Sequence, residues 1–413
     1  MHIAVLYQYG HNPDCPAASR HWRLMEEWSK RHEVTLITST SMRHTRRMYR
    51  TPWVPSGVRL VEIPLEYTNA MSVSERLVAF ARFATSALRA MRHMEAPDVL
   101  LASSTPLTAV WAGAVMARRW KIPWVFEARD LWPEFPIQMN AVPSLLKGPL
   151  HGLARTLYSR ADRVMALSPD MASHIGDLGF GDKTETTYGG TEASRFERPE
   201  IHDIKQTSKS TLLYAGTLGR ANAIPLLLEA AERLSHRSDH EFVFLGDGYY
   251  REQVQEAADR LQNLRFLGTL PLEQTAYWFR RADLSLVTFE PIPVLASNSP
   301  SKIYDSFASG TPVLVTNSGW TRDLVEENGL GWYSSPGDSA GFSQRIGSLI
   351  DRPLALQAAG TRAYRFARDP ENALMFDRDE QARQYERVFF EVTGETAAIS
   401  EDGSRRFEQL RAA

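Results

Sequence analysis

The chain has 413 residues, 43% hydrophobic and 23% charged, the balance of a globular protein long enough for two domains rather than one. A net charge of −2 excludes a strongly basic nucleic-acid binder, and the single cysteine, Cys15, excludes an internal disulfide framework or a Cys-based zinc cage. The charge is unevenly placed, since residues 1–165 hold 21 Lys and Arg against 13 Asp and Glu and the remainder holds 26 against 36, so the two halves face different partners.

The chain opens on an apolar strand at 2–8 with no leader-like segment, and no apolar run approaches the roughly 20 residues that span a bilayer. It therefore reads as cytoplasmic. Further strands are predicted at 33–39, 58–64, 98–103, 123–128, 163–168 and 184–188, and a second series at 211–216, 241–246, 264–268, 284–289, 312–316 and 331–333. Helical patterns lie between them, at 19–32, 74–95, 107–120, 145–161, 170–178, 225–236, 249–262 and 301–309. Short strands alternating with helices predict an α/β fold with parallel, doubly wound sheets. The pattern pauses at about 189–210, a credible linker. It separates two Rossmann-like domains, 1–190 and 195–370, facing across a cleft. A helical stretch at 373–392 follows, then a polar tail at 395–413. Ligands of such sheets sit beyond the carboxyl ends of the strands, which directs attention to the loops there.

The first such loop, Asp14 to Arg20, carries the small residues Ala18 and Ser19 ahead of a helix and can face phosphates. In the helix at 74–95, Leu77, Phe80, Ala84, Leu88 and Met91 form an apolar stripe opposite Arg82, Ser86, Arg89 and His93. With nearby Arg46 and Arg47, this basic face suits anionic head groups, or is simply the solvated side of a core helix. The strand at 123–128 ends in a loop with Arg129, Asp130, Trp132, Glu134 and two prolines, Pro133 and Pro136, a shaped loop at the cleft or an Arg–Asp pair with an aromatic plug.

In the second half, Gly216, Thr217, Gly219, Arg220 and Asn222 follow a strand and precede a helix opened by Pro225. Small residues there let backbone N–H groups approach an anion, although a plain strand–helix turn has the same composition. Gly246-Asp247-Gly248 repeats the arrangement, and Leu267, ending the next strand, is assigned to the same side. Ser301 is placed to cap the helix at 301–309. Lys302 sits in its first turn, where a cation opposes the helix dipole unless a bound phosphate offsets it, and Asp305 lies one turn on, in reach of ribose hydroxyls. There is no G-x-S-x-G elbow, no GxxxxGK[ST] loop and no HExxH, and no bridging divalent metal is expected.

FEARDLWPE (126–134), YSRADRVMALSPDM (158–171), LLYAGTLGRA (212–221), FVFLGDG (242–248), RRADLSLV (280–287) and PSKIYDSFASGTPVL (300–314) together resemble the retaining glycosyltransferases of the GT-B fold, family 4, in particular bacterial WbuB-type transferases of O-antigen and capsule synthesis. The resemblance implies a nucleotide-sugar donor on the C-terminal domain, an acceptor on the N-terminal domain and a final helix crossing back to the first. It also implies metal-independent catalysis with retention, in which the leaving diphosphate helps deprotonate the acceptor hydroxyl. Arg129, Asp130 and Glu134 would be the catalytic group, and Trp132, Arg82, Arg89, Arg46 and Arg47 would lie on the acceptor or membrane side. The chain departs from the family at the E-x7-E positions, which fall on Ser297 and Asp305, and at Thr217 and Asn222, where a phosphate-loop Arg and Lys are usual.

The expectation is thus transfer of a sugar from a UDP-sugar to a hydroxyl of a lipid-linked glycan, at the inner membrane face, with neither cofactor nor nucleic acid. Two alternatives stay open: an enzyme acting on a small soluble metabolite, and an inactive nucleotide-sugar-binding scaffold.

Overall fold

The computed structural model describes residues 1–15, 20–42, 48–68, 71–197 and 209–395. Its first half runs β1 (His2–Leu6), α1 (His21–Trp28), β2 (Glu33–Ser39), β3 (Val58–Ile63), α2 (Val73–Met91), β4 (Val99–Ser103), α3 (Leu107–Trp120), β5 (Trp124–Ala128), α4 (Glu134–Gln138), α5 (Ser144–Arg160), β6 (Arg163–Ala166), α6 (Pro169–Ile175) and β7 (Thr184–Thr186). Its second half runs β8 (Ser210–Ala215), α7 (Ile224–Arg233), β9 (His240–Leu245), α8 (Arg251–Arg260), β10 (Leu264–Phe266), α9 (Leu272–Arg281), β11 (Leu284–Val287), α10 (Ser301–Ala308), β12 (Val313–Val315), α11 (Trp320–Glu327) and β13 (Gly331–Tyr333). Four helices close the chain, α12 (Ser339–Ile350), α13 (Pro353–Phe366), α14 (Ala373–Phe376) and α15 (Arg378–Thr393).

The strands form two parallel sheets, ordered β3-β2-β1-β4-β5-β6-β7 and β10-β9-β8-β11-β12-β13. Central strands such as β4 and β5 are buried along their whole length because helices cover both faces, hence their continuous apolar runs. At the edges, β3 buries only Val58 and Ile63, and every residue of β7 is half-buried. Strand order reverses between β1 and β4 and again between β8 and β11. These are the switch points where doubly wound sheets open a crevice, and each predicted loop lies at a strand's carboxyl end.

The chain returns to its beginning after the second sheet. α15 packs on α1, with the Trp28 indole N–H donating to the Ala382 carbonyl at 2.9 Å and the Trp28 and Phe389 rings 5.3 Å apart. Elsewhere the halves meet through short polar contacts. Ser168 donates to the Ser297 carbonyl at 2.5 Å, the Val294 N–H to Gln138 at 2.9 Å, and the Trp320 N–H to Asp170 at 3.0 Å.

One expectation needs correction. Leu77 is 45% exposed, and α2 buries Ala79, Phe80, Phe83, Ala84, Ala87, Leu88 and Met91. The buried stripe of α2 thus begins at Ala79, and Leu77 stays in solvent together with Val78. Residues 198–208 of the expected linker and 396–413 of the expected tail lie outside the described residues.

Candidate active site

Two glycine loops meet at the carboxyl edge of the second sheet. Gly216, Gly246 and Gly248 have φ of +143°, +131° and +153°. A Cβ on Gly246 would stand 1.9 Å from the Gly216 carbonyl oxygen, and one on Gly248 2.7 Å from that of Leu218. Glycine is therefore required by backbone-on-backbone contact. The Leu218 N–H donates to the Asp247 carbonyl at 2.9 Å, and the Asp247 carboxylate accepts from the Gly248 N–H at 2.8 Å. This pairing leaves Gly216 and Thr217 exposed just past a buried strand. Arg220 lays its guanidinium over the Tyr249 ring at 4.0 Å. Gly219, Asn222 and Leu267 are half-buried around the same loops.

Lys302 enters this group from α10. Its side chain is buried, its Nζ has no hydrogen-bond partner, and it lies 3.9 Å from the Tyr214 ring centroid. A Cβ on Gly216 would be 3.3 Å from that Nζ. Burial pushes its pKa down to about 7. Ser301 does not cap α10 as expected. Pro300 occupies the N-cap, no side chain caps the helix, and Ser301 is already helical and exposed. The first turn of α10 thus offers uncapped N–H groups beside an unpartnered ammonium, an arrangement suited to an anion. Asp305 diverges from Lys302. It is half-buried beside Thr191 and Arg378, and burial raises its pKa to about 6.

In the first sheet, β5 ends in a charged cluster that sequence reading missed. Glu127 is fully buried and accepts from Arg20, Ser103, His21 at 2.6 Å and Tyr385 at 2.5 Å. Despite burial, Arg20 and His21 hold its carboxyl well below the usual range. Arg20 also donates to Gln381 at 3.1 Å and Tyr385 at 2.8 Å, which ties α15 to the cluster. A carboxylate inside the otherwise apolar strand Trp124–Ala128 was the one signal available beforehand. Two residues on, Arg129 sits over the Tyr7 ring at 4.7 Å with its backbone N–H donating to Ser104. Arg378 donates to the Gly189 and Gly190 carbonyls. Burial, reinforced by the charges of Arg20 and Arg129, lowers its pKa to about 10, so three guanidinium groups share one electropositive junction.

Trp132 and Glu134 make their contacts elsewhere. Asp130 is half-buried, and Trp132 packs edge-on to Phe80 at 6.1 Å. Glu134 faces His151 at 3.4 Å and His174 at 3.7 Å; these lower its pKa and Glu134 raises that of His174. Glu134 lines a cavity of about 330 Å³ at the seam with Leu131, Gln138, Asp170, Val294 and Ser297. Arg82 and Arg89 are exposed on α2 and join none of these groups. Ala18, Ser19, Arg46 and Arg47 lie outside the described residues. Among the described residues, no cluster of three or more His, Cys, Asp or Glu side chains is placed to hold a metal ion.

Known proteins agree with this frame. The model of the glycosyl transferase 4-like domain matches residues 17–188, and that of glycosyl transferases group 1 matches residues 209–352. A probable glycosyltransferase of Pseudomonas aeruginosa, WbjE, is 25% identical over 272 residues, covering 62% of this chain and 67% of the other. Sucrose-phosphate synthase of Thermosynechococcus elongatus superposes with a TM-score of 0.72 at 16% identity, covering 94% and 99% of the two chains. Anabaena HepE in complex with UDP-glucose does so at 0.64 and 16%, covering 94% and 100%. With glycosyltransferase models matching both halves and two facing parallel-sheet domains, the chain belongs to the glycosyltransferases of the GT-B fold.

Proposed function

We propose that the chain transfers a sugar from a UDP-sugar to a hydroxyl of a lipid-linked glycan, with retention and without a metal. The observation that carries the donor half is Lys302, a buried, unpartnered ammonium at a helix N-terminus beside exposed Gly216 and Thr217. A diphosphate there would meet the ammonium, the N–H groups of α10 and Arg220, and charge-assisted bonds of this kind are stronger than neutral ones. The HepE complex with UDP-glucose supports UDP as the nucleotide. In this reading residues 195–370 hold the donor, residues 1–190 with the crossing segment 373–392 hold the acceptor, and Asp305 reaches the ribose.

Catalysis then requires orientation and stabilisation of the departing diphosphate. Arg129 cannot act as a base at neutral pH, so it stabilises charge or orients Asp130, and Glu134 completes the acceptor side. The membrane side is supported by α2, α3 and α5. These helices expose Leu77, Val78, Trp111, Val115, Leu145 and Leu146, and α2 also exposes Arg82 and Arg89, residue types suited to an anionic interface. No described helix is long and apolar enough to cross a membrane.

The test is a thermal-shift screen of nucleotides and nucleotide sugars in EDTA, followed by transfer assays with lipid-linked acceptors. UDP should raise the melting temperature and Lys302→Ala should abolish that rise. An unchanged UDP response in Lys302→Ala refutes the donor site, and a requirement for Mg²⁺ refutes the mechanism.

A further inference from the structure

The Glu127 cluster has a direction. An ionised carboxylate can only accept hydrogen bonds, and Glu127 Oε2 lies 2.6 Å from Nε2 of His21. Nε2 must therefore carry the ring proton. Both residues are fully buried, and desolvation lowers the His21 pKa to about 4, so the ring is neutral at physiological pH. A neutral imidazole protonated at Nε2 has its lone pair on Nδ1. That lone pair faces Nη1 of Arg129 at 3.5 Å, while the Arg129 guanidinium rests over Tyr7 and the Tyr7 and His21 rings lie 4.6 Å apart.

We propose that Glu127 and His21 are positioning residues, a carboxylate–imidazole pair that fixes the direction of the Arg129 guanidinium at the cleft. The proposal rests on the reading of Arg129 as a catalytic group. Each link is specific. Glu127 sets the tautomer, the tautomer presents an acceptor, and the acceptor and the Tyr7 ring together hold a long side chain that would otherwise occupy many rotamers. Ser103, Arg20 and Tyr385 fill the remaining capacity of the carboxylate, so it cannot turn away. Tyr385 and Gln381 belong to α15, so the helix that follows the second domain also braces a group in the first.

Two substitutions separate the links. His21→Gln keeps a donor near the Nε2 position and loses the acceptor toward Arg129, whereas His21→Asn keeps an acceptor near Nδ1 and loses the donor toward Glu127. The experiment measures UDP release, as kcat and KM, from UDP-glucose, UDP-galactose and UDP-N-acetylglucosamine in His21→Gln, His21→Asn, Arg129→Met and His21→Gln/Arg129→Met. The imidazole ¹⁵N shifts of His21 are followed with pH in the wild type and Arg129→Met.

His21→Gln should lower kcat by about 100-fold, the scale of a misplaced reacting group, with KM little changed, and His21→Asn should recover much of it. In the Arg129→Met background His21→Gln should have no further effect. The ¹⁵N shifts should report the Nε2–H tautomer, and His21 should protonate at higher pH in Arg129→Met because an opposing positive charge is gone. Equal loss in the two His21 variants, an undiminished effect of His21→Gln in the Arg129→Met background, an Nδ1–H tautomer, or an unshifted titration overturns the proposal. Full activity of Arg129→Met overturns instead the catalytic reading of Arg129, and the ¹⁵N titration still decides whether His21 faces it.

Discussion

Lys302 concentrates the donor-site argument in one side chain. Its ammonium is buried without a counter-ion, which costs stability unless a ligand supplies the charge. In the unfolded chain the group titrates near 10.5, and in the fold near 7. Between these values the unfolded state binds the extra proton, so stability of the free enzyme rises with pH across that window; below it both states are protonated and the cost is constant. Lys302→Met should remove the cost, raising the stability of the free enzyme at pH 7 by about 1–4 kcal/mol and flattening the pH profile, as read by denaturant titration. UDP should restore the charge. Calorimetry in buffers of differing ionisation enthalpy should then show proton uptake on binding at pH 8, and affinity should fall by about tenfold or more between pH 7 and pH 9. Binding that is proton-neutral and pH-independent would disprove direct contact between Lys302 and the diphosphate.

The two glycine loops and the final helix are where elements decide behaviour. The turns after β8 and β9 touch through backbone, so a methyl group on Gly246 must push them apart while forcing φ of +131° on an L-residue. Gly246→Ala should therefore lose at least about 1–3 kcal/mol from backbone strain alone, together with the UDP-induced rise in melting temperature. A variant that still binds UDP normally would show that the two turns need not stay in register. α15 is held to α1 by its buried Tyr385 and Phe389, both packed edge-on to Trp28. Phe389→Ala should cost about 3–5 kcal/mol in chemical denaturation. Strands and most helices were legible beforehand because each needs only a local pattern. The burial shift in α2 was not, since Leu77 and Phe83 are equally apolar and only the neighbouring helix chooses between them.

At the scale of the molecule, the charge division acquires a place. The basic front half exposes Arg82 and Arg89 on α2, and α3 and α5 expose Trp111, Val115, Leu145 and Leu146. Arg82→Glu/Arg89→Glu should lower co-sedimentation with phosphatidylglycerol vesicles, each charge contributing about 1 kcal/mol, and about 0.5 M salt should erase the difference. Equal binding to neutral vesicles would assign the surface to something other than an anionic membrane. By itself the sequence determined the two parallel sheets and the loops at their carboxyl ends, and it singled out Lys302 as a cation in a helix's first turn, because period, turn residues and charge placement are all read from near neighbours. Only the tertiary structure joined Glu127 to Arg20, His21 and Tyr385, parted Asp305 from Lys302 and drove Lys302 toward neutrality. Those outcomes depend on burial and on partners up to 365 residues away in the chain, and no local pattern records either.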